Sequence, residues 1–179
     1  KASYAKEKAQ NQWERTPSIE RAAYLTKIAA GIRKREKELT DIIVREGGKT
    51  QGLANVEVLF TADYMDYMAG WARRYEGEII PSDRPHESIF LFKRPIGVTT
   101  GILPWNFPFF LVARKAAPAL ITGNTIVIKP SQLTPENAYV FAQIVEEAGL
   151  PAGVFNLVNG RGSVIGHELS ANPKVGTVS

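Results

Sequence analysis

One asparagine lies between two prolines in a setting that suits the stabilisation of a developing negative charge. Asn106 belongs to the run Pro104-Trp105-Asn106-Phe107-Pro108, which directly follows a predicted strand. Its amide could donate a hydrogen bond to an oxyanion, and the rigid run would hold that amide in place. The alternative is structural, with Asn106 as the N-cap of the next helix. The two interpretations differ in whether the side chain faces a cleft or folds back on the backbone.

A second candidate group, Lys129-Pro130-Ser131-Gln132, follows the next predicted strand. A cation beside small polar side chains suits the ribose and phosphate of a nucleotide. The alternative is a surface lysine that ends a strand. Because ligands of parallel sheets bind beyond the carboxyl ends of the strands, Lys129, Ser131 and Gln132 are candidate cofactor-binding residues.

A glycine-rich run separates a third predicted strand from a short predicted helix. In Gly160-Arg161-Gly162-Ser163-Val164-Ile165-Gly166, the last gap is one residue longer than in the usual dinucleotide-binding pattern, and no acidic residue closes a following strand. A helix N-terminus still favours an anion there. A tight turn with a glycine for helix packing explains the run equally well.

Arg114 and Phe110 form a candidate substrate-binding pair on the helix that follows Asn106. Arg114 lies two turns after Asn106, and Phe110 falls between them on the same side. Arg114 would then anchor a polar substrate in a pocket lined by Phe109 and Phe110, unless it is simply solvated or salt-bridged. No metal site is expected, because the chain has no Cys and its two His residues are isolated in sequence.

The composition narrows the classes of protein that could carry these groups. The 179 residues are 44% hydrophobic and 22% charged with a net charge of +4, which is typical of a globular domain and gives weak support for nucleic-acid binding. The most apolar stretch, residues 101–121, contains Arg114, Lys115 and three prolines, so no membrane-spanning helix is expected. With no signal peptide, the sequence predicts a cytoplasmic protein without nucleic-acid or membrane partners.

The first 76 residues have the periodicity of helices that would support the cofactor-binding region. Ala5, Ala9 and Trp13 share one face of a first helix. Thr16-Pro17 is predicted to cap and start a second helix, with Ile19 on its apolar stripe. A further helix is predicted from about Leu53 to Tyr75.

A parallel sheet is predicted from Val98 onward, where β-branched runs alternate with helices. The strands are predicted at residues 98–103, 125–128, 154–158 and 175–178, and the helices at residues 107–121, 135–148 and 163–171. The fold class is therefore α/β, with part of a Rossmann-like parallel sheet, flanking helices, N-terminal helices and a β-hairpin. The expected division is helices at 1–76, a hairpin at 77–97 and a βαβαβαβ segment at 98–179.

The order and spacing of several segments resemble the NAD(P)-dependent aldehyde dehydrogenase superfamily. The resemblance runs from about Thr16 to Ser179 and is strongest to its lactaldehyde and glycolaldehyde dehydrogenase branch. It is carried by Arg94-Pro95-Ile96-Gly97-Val98, Ile102-Leu103-Pro104-Trp105-Asn106-Phe107-Pro108, Pro118-Ala119-Leu120 with Gly123-Asn124-Thr125, Lys129-Pro130-Ser131, Gly149-Leu150-Pro151 with Gly153-Val154, and Gly160-Arg161-Gly162 with Gly166.

The resemblance implies a mechanism and a role for each site residue. In this family a Cys thiolate attacks the aldehyde, hydride passes to the nicotinamide, and a Glu-activated water releases the acid. Asn106 matches the Asn that stabilises the oxyanion, and Lys129 matches the ribose-binding Lys. The other matching cofactor-binding residues are Leu103, Pro104 and Trp105 at a strand end, and Gly162 and Gly166 beside the adenine and pyrophosphate.

Two departures from the family pattern, the missing catalytic residues and Gln132, shape the functional expectation. The chain contains no Cys, and the family's general-base Glu would lie beyond Ser179. We therefore expect an internal fragment, inactive alone, of an enzyme that oxidises a small aldehyde, hydroxylated or not, to the acid with NAD. Gln132 stands where many NAD-using members carry Glu, so NADP is a second cofactor candidate.

The predicted hairpin bears on the assembly state, and one alternative function stays open. The hairpin at residues 78–93 matches the family's oligomerisation arm, so a homo-oligomer, dimer or tetramer, is expected. The alternative is a non-catalytic nucleotide-binding or oligomerisation module.

Overall fold

The structure is a computed structural model that describes the backbone of residues 2–179 and the side chains of residues 8–179. It begins with four helices. The helices are α1 (Ala2–Trp13), α2 (Ser18–Lys34), α3 (Glu36–Gly47) and α4 (Gln51–Ala69), and a 3₁₀ turn (Gly70–Arg73) follows α4. Lys1 and the Ala5 side chain, which belongs to the predicted face of the first helix, lie outside the described residues.

A hairpin and a four-stranded sheet follow the helices. Strands β1 (Glu78–Pro81) and β2 (Ser88–Leu91) pair antiparallel as the predicted hairpin. The second sheet is parallel throughout. Its strands are β3 (Val98–Ile102), β4 (Thr125–Lys129), β5 (Phe155–Leu157) and β6 (Thr177–Val178), and the connecting helices are α5 (Phe110–Ile121), α6 (Glu136–Glu147) and α7 (Gly162–Ala171). The expected α/β fold, with a parallel sheet, helices and a hairpin, is confirmed.

The strand order of the parallel sheet is β5-β4-β3-β6. The chain moves outward from β3 to β5 and then returns to the other side of β3. Ligands of such sheets bind beyond the carboxyl ends of the strands, near the point where the order reverses. Ile102 at the end of β3 lies opposite Lys129 at the end of β4. The predicted site segments that follow these two strands therefore leave the sheet at the same edge.

The hydrophobic core joins the N-terminal helices to the sheet. The cluster of buried apolar side chains includes residues of α1–α6 and β4, and its largest fully buried members are Trp13, Phe109, Phe141, Leu25, Ile28, Ile32, Leu39, Ile43, Met65, Leu120, Ile121 and Ile126. Burying this apolar surface is the main favourable contribution to folding. Within residues 2–179, no helix is both long and apolar enough to span a membrane.

The C-terminal end of α5 is held by side chains from the N-terminal helices. Trp13 Nε1 donates to the carbonyl oxygen of Leu120 (3.1 Å), and Arg21 Nε donates to that of Ile121 (3.0 Å). The last carbonyls of a helix have no partner within the helix, so these buried donors satisfy them. The helix that carries Phe110 and Arg114 is thereby fixed relative to α1 and α2.

The start of α2 differs from its prediction. Pro17 is the N-cap residue and makes no side-chain cap, so the prediction that Thr16-Pro17 caps and starts the helix is wrong. Thr16 Oγ1 instead donates to the carbonyl of Gln12 (3.1 Å), at the end of α1. Ile19, predicted on the apolar stripe, is 51% exposed.

Two other helix boundaries also differ from their predicted positions. The α-helix predicted to reach Tyr75 ends at Ala69 and tightens into the 3₁₀ turn at Gly70, a residue with weak helix propensity. Helix α5 begins at Phe110 rather than at Phe107. Pro108, which has no N–H to donate, lies just before the N-cap residue Phe109. Strands β5 and β6 are shorter than predicted.

Candidate functional site

Asn106 lies in the connection between β3 and α5, with its side chain exposed. The N-cap interpretation is wrong, because Phe109 occupies the cap position. The Glu57 carboxylate accepts hydrogen bonds there from the backbone amides of Phe109 (2.9 Å) and Phe110 (3.1 Å). The Asn106 side-chain amide has no hydrogen-bond partner among residues 8–179. Its donors are therefore available to a bound molecule.

A cavity of about 530 Å³ brings three of the predicted site residues together. Asn106, Phe110 and Arg114 line it, opposite apolar side chains of α4 that include Phe60. The prediction that Phe109 lines the pocket is wrong: Phe109 is fully buried and packs edge-on against Phe141 in the core. The cavity wall is mostly apolar, with a few polar groups, which is the usual composition of a small-molecule site.

Aromatic side chains of α4 fix the ring of Phe110. The Phe60 ring centroid lies 4.7 Å from that of Phe110, and the Tyr64 ring meets it edge-on at 5.5 Å. Burial raises the pKa of the Tyr64 hydroxyl, although the positive charge of Arg114 opposes the shift. Tyr64 therefore remains a neutral donor near the cavity at physiological pH.

Arg114 is exposed on α5, one turn after Phe110. The salt-bridged alternative is not observed, because Arg114 makes no ion pair within residues 8–179. Arg114 also lines a second cavity of about 460 Å³ together with Thr100. Its guanidinium therefore offers a planar, permanently charged group to an oxygen-bearing molecule.

Lys129 ends β4 and is only 4% exposed, so the surface-lysine alternative is wrong. All five residues of β4 are buried. The Lys129 ammonium donates to the carbonyl oxygen of Pro130 (3.0 Å). An ammonium has three donors, and the described residues supply this one acceptor. A buried cation that is only partly satisfied suits a ligand with several hydroxyl oxygens.

The other residues near the strand ends differ in accessibility. The amide of Leu103 donates to the carbonyl oxygen of Lys129 (3.0 Å), extending the pairing of β3 and β4 by one residue. Pro104, Trp105 and Gln132 are exposed beyond this edge. The Ser131 hydroxyl accepts a hydrogen bond from the amide of Leu133 (3.2 Å) and so shapes the turn after Lys129.

The two predicted cofactor-binding glycines lie on the first turns of α7. A side chain added at Gly162 or Gly166 would meet nothing within 4 Å, so helix packing does not explain these two residues. Gly160 is the tightly packed one, because a Cβ there would lie 3.0 Å from Ile165. No side chain caps the start of α7, which leaves backbone amides open to an anion.

Sequence reasoning missed two charged residues beside Asn106. Glu57 is a fully buried carboxylate on α4, and Lys49 just before α4 forms an ion pair with it (2.5 Å). The available signal was a glutamate between Ala54 and Val58 on the apolar face of the helix. Among residues 2–179, no cluster of His, Asp or Glu has the arrangement of a metal site.

Comparison with known proteins identifies the family. The model of the "Aldehyde dehydrogenase family" matches residues 1–179. The chain belongs to the aldehyde dehydrogenase family. The resemblance noted from the sequence is thereby confirmed at the level of the family.

The chain is similar to individual members of this family in both sequence and structure. The chain is 70% identical over 179 residues to the lactaldehyde dehydrogenase of Escherichia coli (strain K12), covering 100% of this chain and 37% of the relative. A crystal structure of lactaldehyde dehydrogenase from Escherichia coli superposes with a TM-score of 0.97 at 70% identity, covering 99% of this chain and 37% of that one.

A more distant relative is known with a cofactor. Glyceraldehyde-3-phosphate dehydrogenase from Methanocaldococcus jannaschii, complexed with NADP, superposes with a TM-score of 0.91 at 35% identity, covering 99% of this chain and 40% of that one. The chain thus spans well under half the length of these relatives.

Proposed function

We propose that this chain is the cofactor-binding part of a longer enzyme that oxidises a small hydroxylated aldehyde to the carboxylic acid with NAD. The observation that carries the proposal is the unpartnered amide of Asn106 at a cavity shared with Phe110 and Arg114. An amide in that position would donate to the oxygen of the substrate as it becomes negatively charged.

The fit of a dinucleotide rests on the edge of the sheet where Lys129 ends β4. The buried ammonium has donors to spare for ribose hydroxyls, and Ser131 and Gln132 follow it directly. Leu103, Pro104 and Trp105 would lie beneath the cofactor, while Gly162 and Gly166 leave room beside its adenine and pyrophosphate. When bound, NAD supplies the acceptor for the two electrons that the aldehyde loses.

The substrate class follows from the chemistry of the cavity wall. Phe110, held between Phe60 and Tyr64, gives a rigid apolar surface for a short carbon chain. Arg114 would bind a hydroxyl or carboxylate oxygen on that chain. The name of the lactaldehyde dehydrogenase relative, at 70% identity, supports a small hydroxylated aldehyde as the substrate.

The 179 residues do not supply the Cys nucleophile of the proposed reaction, because they contain no Cys. In the proposed longer protein, a Cys and a general-base Glu would come from sequence outside these 179 residues. The test compares purified, mass-verified 179-residue chain with a version completed to the length of its relatives. Only the completed version should reduce NAD with lactaldehyde. Turnover by the 179-residue chain would overturn the proposal, and cofactor binding without turnover by the completed protein would favour a non-catalytic module.

The hairpin supports an assembly role in the same protein. All eight residues of β1 and β2 are exposed, and Ile79 (76%) and the adjoining Phe92 (75%) are among the most exposed apolar residues. Apolar strands with free edges tend to pair with another chain. Residues 77–97 are therefore proposed to join subunits into a dimer or tetramer. Ile79→Lys should lower the molecular mass of the assembly found by sedimentation equilibrium. Leu133→Lys, at another exposed apolar residue, is the control and should leave that mass unchanged. An unchanged mass in Ile79→Lys would refute this role.

A further inference from the structure

Lys49 joins α4 to the connection that carries Asn106. Its ammonium donates to the Glu57 carboxylate (2.5 Å) and to the backbone carbonyl oxygen of Asn106 (3.0 Å). The same ammonium lies 4.0 Å from the ring centroid of Phe107, within the range of a cation–π interaction. One side chain therefore contacts two consecutive residues of the connection.

Glu57 holds the other end of this connection. One oxygen of its carboxylate accepts from the amides of Phe109 (2.9 Å) and Phe110 (3.1 Å), while the other accepts from Lys49. The Glu57 side chain is fully buried. A carboxylate at a helix N-terminus is stabilised by the free amides and by the helix dipole. Glu57 and Lys49 thus bind residues on both sides of Pro108.

We propose that Lys49 and Glu57 are positioning residues for the Asn106 amide. This inference rests on the proposed function, in which that amide donates to the substrate oxygen. The Asn106 side chain is exposed and has no partner of its own among residues 8–179, so its position depends on the backbone that carries it. Lys49 fixes the carbonyl of that same residue, and Glu57 fixes the start of α5, which carries Phe110.

A purely structural role is a poorer account of the pair. Buried ion pairs often contribute no more stability than apolar residues of similar size. Helices α4 and α5 already pack through apolar side chains that include Phe60 and Phe110. The pair adds directional hydrogen bonds to one short segment, and a misplacement of about 1 Å in a catalytic group can lower a rate about a hundredfold.

The test is a double-mutant cycle in the completed protein, with Lys49→Met, Asn106→Ala and the combination. Lys49→Met should lower kcat by about 10- to 100-fold while KM for NAD stays unchanged. In the Asn106→Ala background, the same change should lower kcat less than about twofold, because the group it positions is gone. Lys49→Arg keeps donors for both acceptors and should restore most of kcat.

A control variant at another charged contact of α4 separates positioning from general destabilisation. Arg33→Met removes the ion pairs that join α2 to Asp63 and Asp66 of α4, away from Asn106, and should leave kcat unchanged. If Lys49→Met does not fold, because Glu57 loses its counter-charge, Lys49→Met with Glu57→Gln removes both charges and takes its place in the cycle.

The outcomes of the cycle separate this inference from the proposed function. Equal losses of kcat from Lys49→Met in both backgrounds would overturn the positioning role and leave the function of Asn106 intact. An Asn106→Ala variant with normal kcat would overturn the oxyanion role itself, and the positioning role with it.

Discussion

Replacing Lys129 by Met should make the protein more stable and a weaker binder of NAD. Lys129 is 4% exposed, and its ammonium donates to the carbonyl oxygen of Pro130 at 3.0 Å. Two of its three donors have no acceptor among residues 8–179. A residue whose removal raises stability but lowers binding is kept for its function rather than for the fold.

The expected change in the free energy of unfolding follows from the hydrogen bonds that these donors make or lack. Each unsatisfied buried donor destabilises by about 1–3 kcal/mol, and the charged hydrogen bond that is lost contributes about 1.5–3 kcal/mol. Met fills a similar volume without polar groups. At the middle of these ranges, the net gain in the free energy of unfolding is about 2 kcal/mol. Losing charged hydrogen bonds to the ribose should raise Kd for NAD by about 10- to 100-fold.

Two measurements on the completed protein check this prediction. Differential scanning calorimetry without cofactor should show a higher Tm for Lys129→Met, and titration calorimetry should show the weaker binding. Lys37→Met, at an exposed lysine of α3, is the matched control and should change neither quantity. A lower Tm together with an unchanged Kd would show that Lys129 is structural and would refute the reasoning.

Three further predictions concern cofactor choice, pH and substrate. Gln132→Glu should raise the ratio of kcat/KM for NAD over NADP by about tenfold, because the added charge repels the 2′-phosphate; no change would mean that residue 132 does not face the ribose. Burial raises the pKa of the Glu46 carboxyl above 4.5, although it accepts the Glu136 amide (3.1 Å). A raised pKa in the folded state adds stability that is present at low pH and lost as the pH rises through that pKa. Urea titrations should therefore find Glu46→Gln at least as stable as the parent at neutral pH, and this difference should shrink as the pH falls to about 4.5; a difference that grows at low pH would contradict the cause given. Arg114→Met should raise KM for lactaldehyde by about 10- to 100-fold without changing KM for NAD, and an equal rise in both would place Arg114 outside the substrate site.

The parallel sheet and its ligand edge could be predicted because they depend on local patterns. Apolar β-branched runs mark buried strands, and the glycines and prolines between them mark the turns. These signals placed Asn106 and Lys129 just after consecutive strands; in the structure Asn106 follows β3, and Lys129 is the last residue of β4. The hairpin was predicted for the same reason, since turn residues separate its two short strands.

The errors occurred where a distant residue determines local structure. The start of α5 depends on Glu57, which lies about fifty residues earlier and accepts the amides of Phe109 and Phe110. Nothing near Asn106 reveals that this cap exists, so the local sequence left Asn106 open as the cap. The burial of Lys129 likewise depends on how neighbouring elements cover β4, which strand periodicity does not encode.

The most direct test of the account is the rate of aldehyde oxidation by the Asn106→Ala variant of the completed protein. Removing one oxyanion donor should lower kcat by about 10²–10³-fold, and Kd for NAD should stay unchanged. Asn106→Ala should also leave Tm unchanged, because its side chain is exposed and has no partner among residues 8–179. A variant that keeps its kcat but unfolds at a lower temperature would contradict the account and make Asn106 a structural residue.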